Sequence, residues 1–474
     1  VRIRRHAAVA DGIAEQIRTG ALPAGTRLPT HRALAARHGI AVATASRVYR
    51  DLTASGLVVG EPGRGTFVRD LSGFAGLEPA RLSAGQRTAD LSFNQPLSTG
   101  QDDELRQALR GLAAEGDLTS LLYQQPPGGR SRDRAAIASY LLGRGIDVAP
   151  HSVLITGGAQ QGLDALLVAL AEPRAVVAVD ALTYPGIRML ATARHLDLAA
   201  VRADTTGMDI DHLEWLCGQR PISMLYLIPT LHNPLGYILG ASARQRIAAL
   251  AARHDFHIIE DATYAFLEPA APPPVQTVAP ERTFYIGSMS KNLASGLRIG
   301  YVVAPLARRP ALIRSLRATS WGASSIASAL TTRWLTDGTA AKLEKQRRED
   351  ARQRQVIARA ELAGLDYHAH PASYSGWLTL PEHARSDVIA HELAEHGIMV
   401  TTADAFATTA HAPNALRLAL ATPELSELTA RAASYTHGDN MTTALRKIPA
   451  PVALQCGDSL RGDRAPYSPR RIRP

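Results

Sequence analysis

The chain has 474 residues, 46% of them hydrophobic and 20% charged, and carries a net charge of +9. It is too long for one hydrophobic core, so two or three domains are expected, with the composition of a soluble globular protein. No uninterrupted apolar run reaches the roughly 18 residues of a membrane-spanning helix, the opening "VRIRRHAAVADGIAEQI" lacks a signal-peptide core, and Cys217 and Cys456 supply neither a disulfide framework nor a metal spacing. A cytoplasmic, metal-free protein outside the membrane is the expectation.

The positive charge is concentrated at the ends. Residues 1–70 carry +6, residues 441–474 carry +5, and the stretch between them carries −2. A basic module on a nearly neutral body points to a polyanionic partner for that module.

Residues 1–70 read as three helices and a hairpin. Ala7, Ala10, Ile13, Ala14 and Ile17 recur at helical spacing. Thr30 is a natural N-cap for a second helix through "HRALAARH", which stops at Gly39. A third, "VATASRVYRDLTASG", turns Val48 and Leu52 inward and leaves Thr44, Ser46, Arg47 and Arg50 facing outward. "LVVGEPGRGTFV" follows as two β-prone runs around a Pro/Gly-rich turn. Helix, turn, helix and hairpin make a winged helix-turn-helix, whose third helix enters a major groove. The stretch "RLPTHRALAARHGIAVATASRVYRDLTASGLVVGEPGRGTFV" resembles the DNA-binding domain of GntR-type bacterial regulators. The resemblance implies double-stranded operator DNA as a partner. It implies Arg32, Thr44, Ser46 and Arg47 as backbone or base contacts, and Arg64 and Gly65 as the tip of the wing.

The pattern lapses over residues 71–89, a stretch rich in Gly, Ser, Ala and Pro that reads as a linker. From 90 to 435, apolar strands alternate with amphipathic helices. "SVLITGG" leads into "AQQGLDALLVALA", "AVVAVD" into "YPGIRMLATARH" and "SMLYLIP" into "ARQRIAALAARH". Such alternation gives an α/β fold with a mostly parallel sheet covered on both faces, binding ligands at the carboxyl ends of its strands. Residues 436–474, basic and rich in Pro and Arg without periodicity, read as a disordered tail.

Polar residues gather at those strand ends. Only four lysines occur in the chain, Lys291, Lys342, Lys345 and Lys447, against 52 Lys plus Arg together. Guanidinium serves ion pairs and phosphates equally well, so a retained lysine suggests a need for a primary amine that can lose its proton. "TGGAQQ" offers Gly158, Ala159 and Gln160 at a helix N-terminus, suited to a phosphate. "PTLHNPLG" places Asn233 in a turn after a strand, and "IIEDATY" places Asp261 at a strand end with Tyr264 beyond it. "SMSK" supplies Ser288 and Ser290 beside Lys291, with Arg298 seven residues on. An amine, a carboxylate, a phenol-binding donor and a phosphate cup are together the requirements of pyridoxal 5'-phosphate. The remaining histidines, His232 among them, fit neither a metal spacing nor a triad and read as surface or packing residues.

The large segment resembles the fold-type I aminotransferases, with a smaller C-terminal α+β part. The resemblance implies Lys291 as the Schiff-base lysine and Asp261 as partner of the pyridinium nitrogen. Asn233 and Tyr264 would bond the phenolic oxygen, and Gly158, Ala159, Gln160, Ser288, Ser290 and Arg298 the phosphate. Tyr184, in "ALTYPG", would stack on the ring, and Arg417, in "NALRLALA", would grip an effector carboxylate. Tyr123, in "LLYQQPPGG", would be lent to a partner subunit's phosphate site, implying a homodimer. Leucine stands in "HNPLG" where the family often has threonine, and "FNQPLS" lacks a glycine often seen there, leaving one edge of the effector pocket undefined.

A winged helix joined to an aminotransferase-like domain is the architecture of MocR-type regulators within the GntR family. The resemblance implies a transcription regulator sensing an amine, an amino acid or a B6 vitamer through aldimine exchange at Lys291. A working aminotransferase with an appended DNA-binding domain is the alternative, and a regulator that never holds the cofactor is a third reading. The effector, the operator and the direction of regulation are not legible in the sequence.

Overall fold

The computed structural model describes residues 5–422 apart from 19–20, 24, 55–56, 62–64, 69–88, 97, 99, 116–117, 383, 396 and 410. The linker at 71–88, Arg64, Cys456 and the tail at 436–474 therefore lie outside the described residues.

At the N-terminus α1 (Arg5–Arg18) buries Ala10, Ile13, Ala14 and Ile17, the face its spacing defines. Helix α2 (His31–His38) starts where the Thr30 hydroxyl accepts the Ala33 N–H at 3.2 Å. It stops at Gly39, whose positive φ of 60° turns its N–H back onto the carbonyls of Ala35 and Ala36. Helix α3 (Val42–Ala54) packs Ala45, Val48, Tyr49 and Leu52 into the same core. Strands β1 (Val58–Glu61) and β2 (Gly65–Val68) pair antiparallel, closing the winged helix-turn-helix.

The large domain is built on a seven-stranded sheet. The elements that frame the site include, in chain order, α4 (Ser131–Leu142), β3 (Val153–Thr156), α5 (Ala159–Leu170), β4 (Val176–Asp180), α6 (Pro185–Ala193) and β5 (Asp197–Val201). They continue with β6 (Ile222–Leu227), α7 (Ala241–His254), β7 (His257–Asp261), β8 (Thr283–Ser288) and β9 (Gly300–Val303). Spatial order is β3-β9-β8-β7-β6-β4-β5, parallel throughout except for β9, which runs against both neighbours. Strand alternation feeds two cores. Val177 and Val179 of β4 face one with Leu163, Leu166 and Ile187, while Val176 and Ala178 face another with Ile247, Leu250 and Ala251 of α7. Both faces of the sheet are thus covered, as continuous apolar strands require.

A smaller C-terminal part follows the long α8 (Thr339–Glu361). Strands β10 (Asp366–His368), β11 (Ser375–Thr379), β12 (Thr401–Thr402) and β13 (Ala415–Ala419) form an antiparallel sheet in the order β10-β11-β13-β12. Helix α9 (Ser386–Glu395) packs Ile389 and Leu393 against Leu416 and Leu418 of that sheet. Arg417 on β13 thereby faces the crevice at the carboxyl ends of the parallel strands. Among the described residues no helix is long and apolar enough to cross a membrane.

Candidate functional site

A cavity of about 320 Å³ opens at those strand ends. It is lined by Ala159, Gln160, Tyr184, Asn233, Asp261, Tyr264, Ser288, Ser290, Lys291, Arg298 and Arg417, which lie up to 258 positions apart in the chain. Gly158 lies at the cavity edge as the cap of α5. Its φ of +92° lies in the left-handed region, and a Cβ there would come within 2.9 Å of an Arg298 guanidinium nitrogen. Antiparallel β9 passes under the same turn. A Cβ on Gly300 would stand 2.5 Å from the Gly158 carbonyl carbon and 2.7 Å from the Ala159 nitrogen.

Lys291 projects from the end of β8 into the cavity and donates from Nζ to the Asn94 carbonyl at 2.5 Å, over the Phe93 ring at 4.3 Å. Burial first, then the positive charges of Arg417 and Arg298, push its pKa down to about 7. Asp261 is fixed on both oxygens. Oδ1 accepts the Thr263 N–H at 2.9 Å and Oδ2 the Tyr226 hydroxyl at 2.8 Å. Burial pushes the Tyr264 phenol up to about 12, opposed by Arg417 and a hydrogen bond with the Asn94 side chain. Arg417 is only 2% exposed, donates from Nη2 to the Ser92 carbonyl at 2.7 Å, and is drawn down to about 10 by burial.

Sequence reasoning missed Asn94, Phe93 and Tyr226. Asn94 lay in "FNQPLS", noted only for an absent glycine, and its partner Ser375 is 281 positions away. Tyr226 lay inside an apolar strand run, and only the β6–β7 register brings its hydroxyl to Asp261. His232 is a packing residue, fully buried and stacked on Tyr237 at 4.3 Å, and its Nε2 also lies 3.3 Å from Asp180. Tyr123 is not brought to this cavity; it is 70% exposed and lines a separate depression with Gln124 and Trp321.

On the N-terminal domain Arg32, Arg47 and Arg50 are exposed and Thr44 is half-buried. Ser46 is half-buried, like Thr44. Its hydroxyl donates to the Val42 carbonyl at 3.1 Å, and it lines a cleft of about 770 Å³ between α3 and the large domain. Gly65 opens β2 opposite Glu61, beside the Arg27 side chain. The two domains also meet where the Arg385 guanidinium lies 3.5 Å over the Phe67 ring.

Residues 87–433 match the family described as aminotransferase class I and II, and residues 5–68 match the gntR family of bacterial regulatory proteins. The chain belongs to the GntR-type regulators that carry an aminotransferase domain. Two bacterial transcriptional regulators are similar to it over most of their length. The uncharacterized HTH-type transcriptional regulator YdeF of Bacillus subtilis is 26% identical over 427 residues, covering 89% of this chain and 91% of that protein. The HTH-type transcriptional regulator TauR of Rhodobacter capsulatus is 31% identical over 340 residues, covering 65% and 69%. The fold is that of an archaeal alanine:glyoxylate aminotransferase, with a TM-score of 0.70, 21% identity, and coverage of 77% of this chain and 91% of that one.

The aminotransferase fold family depends on pyridoxal 5'-phosphate. The cavity fits that group. Gln160 Oε1, Asn233 Oδ1, Ser290 Oγ and Arg417 Nε are buried there without a hydrogen-bond partner among the described residues. Buried polar atoms left unpaired cost about 1–3 kcal/mol each, so four in one cavity point to a polar occupant.

Proposed function

We propose that this chain is a pyridoxal-phosphate-dependent, DNA-binding transcription regulator, with residues 1–70 contacting the operator and residues 90–435 sensing an amine, an amino acid or a B6 vitamer. The observation that carries this reading is Lys291, an amine with its pKa near 7, in one cavity with a fixed carboxylate and four unpartnered polar atoms. Bound pyridoxal phosphate supplies an aldehyde carbon that condenses with primary amines. Lys291 would present its uncharged amine to that carbon. Asp261 stands for the ring nitrogen, Asn233 and Tyr264 for the phenolic oxygen, and Tyr184 for the ring face. Gly158, Ala159, Gln160, Ser288, Ser290 and Arg298 hold the phosphate.

Arg417, with a free Nε edge, grips the effector carboxylate. The chain acts in the cytoplasm as a homodimer in which Tyr123 reaches the other subunit's phosphate site; its exposure outside its own cavity supports this. Arg32, Thr44, Ser46 and Arg47, with Arg64 and Gly65 of the wing, are the proposed DNA contacts. The effector regulates by binding two domain arrangements unequally, since equal binding shifts nothing.

A second reading, a working aminotransferase, draws on the same Lys291 amine, whose depressed pKa also suits a general base. Titrating the cofactor-loaded protein with a panel of amino acids, amines and vitamers, while following its visible absorption and the oxo acid released, separates the two. Regulation predicts a saturable spectral change without sustained oxo-acid production. Steady turnover at the ordinary enzymatic 1–10³ s⁻¹ or so would transfer the conclusion to the aminotransferase.

A further inference from the structure

We infer that α6, together with residues 403–409, is the element that couples the cofactor cavity to the recognition helix α3, and that Arg188 is the tie holding it together. The inference rests on the function proposed above and assigns its regulation to named residues.

Helix α6 touches both sites. At its start Tyr184 lines the cofactor cavity, and the Gln160 amide of the phosphate cup donates to the Gly186 carbonyl at 3.3 Å. A Cβ on Gly186 would come within 2.3 Å of the Tyr184 ring and 2.4 Å of Gln160 Oε1, so the backbone of this turn packs directly against both. Met189 lines the same cavity. Arg188 and Thr192, four residues apart and so on one helix face, line instead the cleft that faces Ser46, Tyr49, Arg50 and Thr53 of α3.

Residues 403–409 make the same connection from the other side. Phe406 lies 5.1 Å beneath the Arg417 guanidinium, and its carbonyl accepts the Thr183 N–H at 2.9 Å. Leu182 and Ala407 form a β-bridge, and Thr408 donates its N–H to the Ala181 carbonyl at 2.9 Å. Ala407, Thr408 and Thr409 then reach the cleft beside α3. Arg188 joins the two parts, donating from Nη1 to the carbonyls of Asp404 and Ala405, each at 2.8 Å. Occupation of the cavity displaces Tyr184 or Arg417, and a packed unit of this kind shifts as a whole, carrying the wall against which the flank of α3 rests.

The test is hydrogen exchange read by mass spectrometry on the full chain, without and with pyridoxal phosphate, for wild type, Arg188→Gln and Thr192→Trp. Arg188→Gln cuts the tie. Thr192→Trp fills the cleft from an exposed position, so it keeps the test valid if the first variant fails to fold. In wild type, pyridoxal phosphate should change exchange in peptides covering 185–193, 403–409 and 42–54, the last by about fivefold or more, the lower end of ordinary allosteric coupling. In both variants the visible absorption band and the protection of 153–163 should persist while the response of 42–54 falls to near zero. An unchanged response of 42–54 in a folded variant, or none in wild type despite protection at 153–163, overturns the inference. Absence of the band and of protection in wild type instead removes the cofactor reading, and the inference with it.

Discussion

At the scale of single residues the site is governed by how burial and charge set the protonation of Lys291. An ammonium enclosed with Arg417 and Arg298 loses much of its reason to stay charged, and the pKa near 7 leaves about half of it as free amine at neutral pH. Because the free amine is the reactive form, the rate of pyridoxal phosphate loading, followed by visible absorption, should rise as pH passes through about 7. It should not wait for the ordinary lysine range. Arg417→Gln removes one of the charges that depress the pKa, so the same profile should move to higher pH. Lys291→Arg should abolish the band while leaving the melting temperature within a few degrees, because guanidinium keeps its proton.

At the scale of elements the turn proposed to hold the phosphate depends on close backbone approach. Gly300→Ala would press a methyl onto the backbone of Gly158 and Ala159, which cannot swing aside as a side chain would. We expect a stability loss of about 1–3 kcal/mol and weakened cofactor binding, measured by thermal melts and fluorescence titration. Removing the cap on α2 with Thr30→Ala should cost about 1 kcal/mol. These elements were largely legible in the sequence, because caps, glycines and alternating strands act locally: Thr30, Gly39, and the strand-to-helix turn at Gly158 announce themselves within a few residues. Lys291 and Asp261 were legible for a similar reason, each standing at the end of an apolar run. What the sequence hid depends on pairing across the sheet. Tyr226 meets Asp261 only through strand register, Asn94 is placed by Ser375 and Ala421, and His232, in the turn after β6, meets Asp180 at the end of the neighbouring β4. No local pattern encodes such distances.

At the scale of the whole molecule the charge asymmetry acquires a purpose. The basic residues 1–70 are joined to a stretch, 71–440, that carries −2, so attraction to a polyanion belongs to the N-terminal module and not to the large domain. Arg47, exposed on α3, should contribute to that attraction. Arg47→Ala should weaken operator binding and, if the contact is to phosphate, flatten the dependence of log affinity on log salt by about one. The large domain faces the Ser46 side of α3 across the cleft, while Arg47 is exposed. The proposed regulator must bind its operator specifically while it carries the cofactor. The most direct test of this requirement is the fluorescence anisotropy of cofactor-loaded protein titrated onto a labelled duplex from upstream of its own gene, with a scrambled duplex as competitor and salt varied. Binding should be tight and should survive the competitor. Binding that is weak, equal on the two duplexes and abolished by salt, repeated on other candidate upstream regions, would be the non-specific electrostatic term alone and would contradict it.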